Sequence, residues 1–288
     1  LSLTGHANIA HDLLLDASLT FTTYNSRISK VTDNTNFFWT NDARRFGTDF
    51  IRNEVGHPIG SFYGYKVTGF WNSSSEIQQA DAQAQHANNN PAATYQPDEG
   101  LGRFRYADIN GDGQINTDDR TFIGNPNPKF TYGINLGLKY KDFDFSIFLY
   151  GVYGNQVWNQ IKWWTDFYPS FNTGKSKTAL YDSWRPDHQN AKVAIQENNG
   201  FASTNGSPNS YFVENGSYLR AKNLQLGYTF PSRLMNHIKV EKLRIYIQAA
   251  NLFTITKYSG LDPEIGGSVT DFGVDEGGYP YQHGFLAG

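Results

Sequence analysis

The stretch Phe130-Thr131-Tyr132-Gly133-Ile134-Asn135-Leu136-Gly137-Leu138-Lys139-Tyr140-Lys141-Asp142-Phe143-Asp144-Phe145-Ser146-Ile147-Phe148-Leu149-Tyr150-Gly151-Val152-Tyr153 alternates on either side of one dipeptide. Successive side chains of an extended chain point to opposite sides, so Phe130, Tyr132, Ile134, Leu136, Leu138 and Tyr140 share one face. Thr131, Gly133, Asn135, Gly137 and Lys139 share the other. Lys141-Asp142 suits a tight turn. Phe143, Phe145, Ile147, Leu149, Gly151 and Tyr153 then resume the apolar side, with Asp144, Ser146, Phe148 and Tyr150 opposite. The spacing predicts a hairpin with one apolar face. Each apolar stripe is bounded by aromatics, Phe130 and Tyr140, then Phe143 and Tyr153, as in the girdle of a transmembrane barrel. A soluble sandwich also packs alternating strands on one side, so this pattern alone leaves both architectures open.

The pattern recurs outward from the hairpin. Between His11 and Thr23, Leu13, Leu15, Ala17, Leu19 and Phe21 alternate with polar residues, with Leu14 the exception. Tyr218 to Phe230 carries Leu224, Leu226, Tyr228 and Phe230 against Asn223, Gln225, Gly227 and Thr229. After a turn or single helical turn at Pro231–His237, Leu243, Ile245, Ile247 and Ala249 alternate with Arg244, Tyr246, Gln248 and Ala250. A last strand begins near Phe285. Glycines and a proline bend the chain at Gly56–Gly60 before an aromatic strand; His57 beside Pro58 reads as structural. Residues 25–56 read as polar and irregular, with an aromatic knot at Phe37-Phe38-Trp39. Residues 73–93 suit a polar surface helix, capped by Ser74 or Ser75 with Glu76 near its start.

Residues 155–215 read as a very long excursion with one short helix ending near Tyr181–Pro186. Structureless loops of that length are uncommon in compact soluble domains and routine on the outer rim of a barrel. Trp163, Trp164, Tyr168 and Trp184 within it are candidate contacts for a ligand or partner. The competing reading is that they pack the loop against itself.

The chain has 288 residues, 24 Lys+Arg against 27 Asp+Glu, 16% aromatics and only 18% charged residues. Its slight negative charge argues against nucleic acid as a partner. Cysteine is absent, which excludes disulfides and thiolate chemistry. No apolar run is long enough for a transmembrane helix, a test that barrel strands escape. No signal peptide stands at Leu1, and the chain opens in strand-like sequence, as expected of a piece of a longer protein. No nucleophile elbow, phosphate loop, dinucleotide fingerprint or zinc cluster appears, so the expectation is a protein that is not an enzyme.

One stretch carries site chemistry. In Asp108-Ile109-Asn110-Gly111-Asp112-Gly113-Gln114-Ile115-Asn116-Thr117-Asp118-Asp119, oxygen-bearing side chains fall at places one, three, five, nine and twelve. Glycine takes the sixth place, Gln114 offers a backbone carbonyl at the seventh, and Ile115 can pin the loop to a neighbour. A hard cation wants six to eight such oxygens, so the spacing predicts a calcium loop. Asp119 stands where an EF-hand has Glu, and its shorter arm weakens bidentate ligation. The bland alternative is an acidic glycine-rich turn.

Several runs together resemble the SusC/RagA family. They are Gly56–Tyr65, Tyr106–Gly113, Ile123–Phe130, Glu214–Arg220, Leu226–Thr229, Ala250–Thr254 and Asp275–Pro280, in the family's order across most of the chain. The resemblance implies an all-β fold: the C-terminal part (1–288) of a 22-stranded transmembrane antiparallel barrel with long extracellular loops, without the plug domain. It implies location in the outer membrane of Bacteroidetes, against outer-membrane lipid. It implies TonB-dependent nutrient uptake of glycans, oligosaccharides or peptides with a SusD-like surface lipoprotein, energised by TonB-ExbB-ExbD through the N-terminal region. By carry-over, Asp108, Asn110, Asp112, Gln114 and Asp119 would hold a structural calcium ion. The rivals are a secreted calcium-stabilised β-sandwich that binds carbohydrate and, behind it, a β-rich glycosidase. What the apolar strand faces touch discriminates between them.

Overall fold

Eight strands form one antiparallel sheet in the computed structural model, which describes residues 1–32, 35–40, 46–170 and 174–288. Small parts of the two stretches read as irregular (33–34, 41–45 and 171–173) lie outside the described residues. The strands are β1 (Ser2–Ala10), β2 (Leu13–Thr22), β3 (Phe130–Tyr140), β4 (Phe143–Tyr153), β5 (Tyr218–Thr229), β6 (Arg244–Ala250), β7 (Thr254–Thr256) and β8 (Gly284–Ala287). Their spatial order is β1-β2-β3-β4-β5-β6-β8, with β7 pairing on β5 beyond the end of β6. The β3–β4 hairpin closes at Lys141-Asp142, and Lys141 takes φ 51°, as two-residue hairpins require of a turn residue.

Register carries the apolar face across the sheet. Leu15 pairs with Leu138, Leu138 with Phe145, Phe145 with Leu226 and Leu226 with Ile247. One bulge, between Phe148 and Leu149, passes Lys222 without breaking that face. Gly151 sits on the face because the Tyr132 ring lies over it; a Cβ there would fall 2.1 Å from that ring. Aromatics gather at both ends of the band. Phe130 packs on Phe21 at 5.0 Å and on Tyr153 at 4.9 Å; Phe143 packs on Tyr228 at 4.7 Å, and Tyr228 on Phe230 at 5.0 Å.

No second sheet covers this face among the described residues. Phe143 is 51% exposed and Ile247 58%, with Leu138, Tyr140, Leu226 and Ile245 exposed beside them. That excludes the sandwich, whose inner faces interdigitate. An 11-residue strand spans about 37 Å at ~3.4 Å per residue. A barrel tilt of roughly 40° leaves about 28 Å along the membrane normal, close to the ~25 Å band of an outer-membrane barrel.

The connections are unequal. At one end β1–β2 and β3–β4 turn within two residues, and β5–β6 turns through a short helix at Ser232–His237. At the other end the described residues of 23–129, 154–217 and 257–283 build a thick layer of small sheets and helices. The hydrophobic core lies in this layer. Trp158 is its hub, stacked on Phe50 at 4.1 Å and Phe212 at 5.4 Å, with Phe46 and Phe62 edge-on.

Three sequence expectations need correction. The described residues of 155–215 are folded: strands Gln156–Asn159 and Val213–Asn215 pair, and helices form at Ile161–Thr165 and Lys177–Tyr181. Residues 25–56 likewise contain paired strands at Phe37–Thr40 and Ile51–Glu54. The polar helix, α1 (Ser74–Ala87), is capped by Ser73 and not by Ser74 or Ser75. Ser73 has extended backbone and accepts from the Glu76 amide at 3.2 Å, while Glu76 reaches back to the Asn72 amide at 2.9 Å.

Candidate functional site

The acidic loop sits in the rim layer between α1 and the aromatic core. Ile115 is buried in that core, and its amide donates to the Tyr95 carbonyl at 2.6 Å. Gly113 lies against the end of α1, where a Cβ would meet Ala87 at 3.1 Å; its φ of 83° also favours glycine. Asn88, at the end of α1, donates to the Asp112 carbonyl at 3.2 Å.

The loop's own side chains fold it. Asp108 accepts from the Gly111 and Gly113 amides at 2.7 and 2.8 Å. Asn110 accepts from the Asp112 amide at 2.9 Å, and Asp112 from the Gln114 amide at 2.8 Å. That last bond holds the exposed Asp112 carboxyl below its usual range. Asp119 is fully buried and takes the Ile109 and Asn116 amides, each at 2.8 Å. Asn116 caps the turn Thr117–Asp119 in a reciprocal capping box with Asp119.

Asp108, Asp112 and Asp119 bring carboxylate oxygens within 4.8 Å of one another. Two oxygens on one calcium, each at about 2.3–2.6 Å, are separated by at most roughly 5.2 Å, so the three are close enough to share an ion. The donor set is all oxygen, which suits a hard cation. Arg120, next in sequence, turns its guanidinium away to the Asp49 carbonyl and Thr48 hydroxyl. Gln114 directs its side-chain amide to the Thr94 carbonyl at 3.3 Å, leaving its own backbone carbonyl as its candidate ligand.

The four candidate aromatics divide. Trp184 is buried, and its indole donates to Asn72 at 2.8 Å. Trp163 packs against the core and donates to the Asn205 carbonyl at 2.8 Å. Trp164 is half-buried, edge-on to Trp163 at 4.9 Å, and Tyr168 is exposed.

An ionic cluster escapes sequence reading. Buried Arg220 on β5 donates to Asp262 at 2.5 Å and to Glu264 at 2.8 Å; Lys222 reaches Glu264 at 2.7 Å. Two cations in one predicted strand were a signal, but their partners lie 42 residues away along the chain. The cluster ties the 257–283 connection to the sheet. Within the small sheet that carries the acidic loop's exit strand, Arg52 lies over Phe37 at 3.9 Å and Tyr63 at 4.6 Å and so braces three of its four strands.

A sheet with lipid-like exposure on one face, aromatic girdles, short turns at one rim and a packed loop layer at the other defines a transmembrane β-barrel wall, open in these residues. No protein-family profile matches the chain. It is 32% identical over 243 residues to TonB-dependent receptor P3 of Formosa agariphila, covering 81% of this chain and 22% of that protein. It is 26% identical over 286 residues to TonB-dependent receptor SusC of Bacteroides thetaiotaomicron, covering 97% and 24%. The structure of the RagAB peptide transporter superposes with a TM-score of 0.71 at 24% identity, covering 99% of this chain and 28% of that one. The chain thus belongs to the SusC/RagA-type TonB-dependent receptors, proteins of the outer membrane. It spans about a quarter or less of the length of these relatives. They are receptors and transporters, not enzymes.

Proposed function

We propose that this chain supplies barrel wall and outer rim to an importer of glycans, oligosaccharides or peptides, working with a SusD-like surface lipoprotein. The observation that carries the reading is the separation of the two apolar surfaces. The sheet keeps an exposed band for lipid, while the hydrophobic core stiffens the rim where a ligand and a lid would meet. In the full-length receptor, TonB-ExbB-ExbD would act through the plug, and the rim would hold its shape while a path opens.

Calcium at Asp108, Asn110, Asp112, Gln114 and Asp119 would be structural. It would neutralise three convergent carboxylates and fix the loop against α1. Asn116, at the ninth place, would contribute directly or through water. Of the four aromatics, Tyr168 and Trp164 have surface to offer a substrate or the lipoprotein, and Trp163 and Trp184 support them from beneath.

The test is uptake by cells carrying the full-length receptor and its neighbouring lipoprotein, offered a panel of labelled glycans and peptides. Uptake of at least one class, lost when the receptor is deleted, is expected. Unchanged uptake of every class on deletion would refute the reading.

A further inference from the structure

The β5–β6 connection, Pro231-Ser232-Arg233-Leu234-Met235-Asn236-His237-Ile238-Lys239-Val240-Glu241-Lys242-Leu243, differs from the other short turns at its rim. A hydrophilic turn would suffice to join the strands. This one buries Met235 and leaves Leu234 55% exposed and Ile238 60% exposed, with Val240 and Leu243 also exposed. Such residues facing water on a mobile rim would be a liability; next to lipid they are not.

Two features say what covers them. The first is continuity with the lipid-facing band. The Phe230 amide donates to the Leu243 carbonyl at 2.9 Å, and the period of two puts both residues on the side of Tyr228, Ile245 and Ile247. The apolar residues of the connection therefore begin where the aromatic girdle of Phe143, Tyr228 and Phe230 ends. The second is charge. Arg233, Lys239 and Lys242 stand against Glu241 alone, and none of the three cations has an ion-pair partner among the described residues. Lys141, in the adjacent turn, lies 5.3 Å from the centre of the Tyr140 ring. Long basic side chains beyond an aromatic girdle reach headgroups while their stems stay in the apolar zone.

We propose that residues 231–243 form an interfacial foot that lies in the headgroup layer of the membrane at the short-turn rim. Leu234, Ile238 and Val240 enter the acyl boundary, and Arg233, Lys239 and Lys242 engage anionic phospholipid phosphates. The inference rests on the membrane reading of the sheet and extends it to a segment outside the strands. The foot fixes the depth and tilt of β5 and β6, and β5 carries Arg220 and Lys222 of the ionic cluster at the opposite rim.

These 288 residues hold no cysteine, and with any cysteine elsewhere in the full-length receptor replaced by serine, single-cysteine variants report without background. The full-length receptor with L234C, I238C or I247C is labelled with a fluorophore and reconstituted into bilayers. These contain phosphatidylglycerol or only phosphatidylcholine, with nitroxide lipids spin-labelled near the headgroup or deep in the chain. Position 247 reports the band and is expected to be quenched by the deep label in both lipids. Positions 234 and 238 are expected to be quenched by the shallow label, about twofold more strongly with phosphatidylglycerol. The R233Q/K239Q/K242Q variant should lose that lipid preference while position 247 stays quenched. Quenching at 247 without quenching at 234 and 238 overturns the foot and leaves the barrel standing. A lipid preference that survives the triple substitution overturns the role of the cations. No quenching at 247 overturns the membrane reading itself.

Discussion

Two substitutions in the acidic loop separate what folds it from what would bind calcium. Asp119 is buried and holds two backbone amides at 2.8 Å. Asp119→Ala strands both donors, at roughly 1–3 kcal/mol each, so the loop loses about 2–6 kcal/mol with or without an ion. Asp112 is exposed and accepts from the Gln114 amide with one oxygen and from Asn110 and Asn116 side chains with the other. Asp112→Asn keeps an acceptor for the amide, and water serves the side-chain donors, so the calcium-free loop should change by less than about 0.5 kcal/mol. It does remove one charge from three convergent carboxylates, and charge count sets calcium affinity in such loops. We expect affinity to fall at least about tenfold, near 1.4 kcal/mol. Calorimetry gives the affinity, and hydrogen exchange over residues 100–125, with calcium and with chelator, gives the local stability. Chelator should speed exchange there and leave the barrel strands unchanged. Exchange in 100–125 that ignores chelator, or equal calcium affinity in Asp112→Asn and the parent, would refute the reasoning.

Other expectations follow from the same geometry. Ile247→Arg places a cation in the lipid band and should cost about 2–4 kcal/mol in bilayer refolding, whereas Gln248→Arg, on the opposite face, should cost far less. Trp158→Ala removes the hub of the rim core and should destabilise that layer by about 3–5 kcal/mol, read as faster exchange at residues 46–62 and 212–214. Arg220→Met leaves Asp262 beside an apolar chain and should loosen the 257–283 connection by about 3–5 kcal/mol, measured by limited proteolysis. Burial, with the neighbouring Asp81 carboxylate, pushes Glu99 up to about 7 from 4.5. Its contribution to stability is therefore fully present below pH 4.5 and is lost as pH rises through about 7. Exchange near residues 96–105 should accelerate across that window, and Glu99→Gln should flatten the dependence.

The parts of the fold legible in the sequence are those with a strict local period. The β3–β4 hairpin can be read to the residue because one face meets lipid-like surroundings and the other does not, so every second position is constrained. The convergence of Asp108, Asp112 and Asp119 was legible for a related reason: the three lie within twelve consecutive residues. The rim layer was not legible. Its strands are three or four residues long, too short for a period, and Trp158 finds Phe50 and Phe212 only through the tertiary fold. Ser73, Ser74 and Ser75 are chemically interchangeable as caps, and only backbone conformation selects Ser73. Trp184 carried a recognition signal by composition, yet its environment gives it an internal hydrogen bond to Asn72.

The central claim is that the apolar sheet face meets lipid while the rim layer keeps its own core. Nuclear Overhauser contacts from lipid acyl chains to methyl groups of the protein in nanodiscs test both halves at once. The account predicts lipid contacts at Ile134, Leu136, Ile147, Leu149, Leu226 and Ile247, and none at Ile51, Val157 or Val193, which are buried in the rim layer. Lipid contacts absent from the first set, or present in the second, would contradict it.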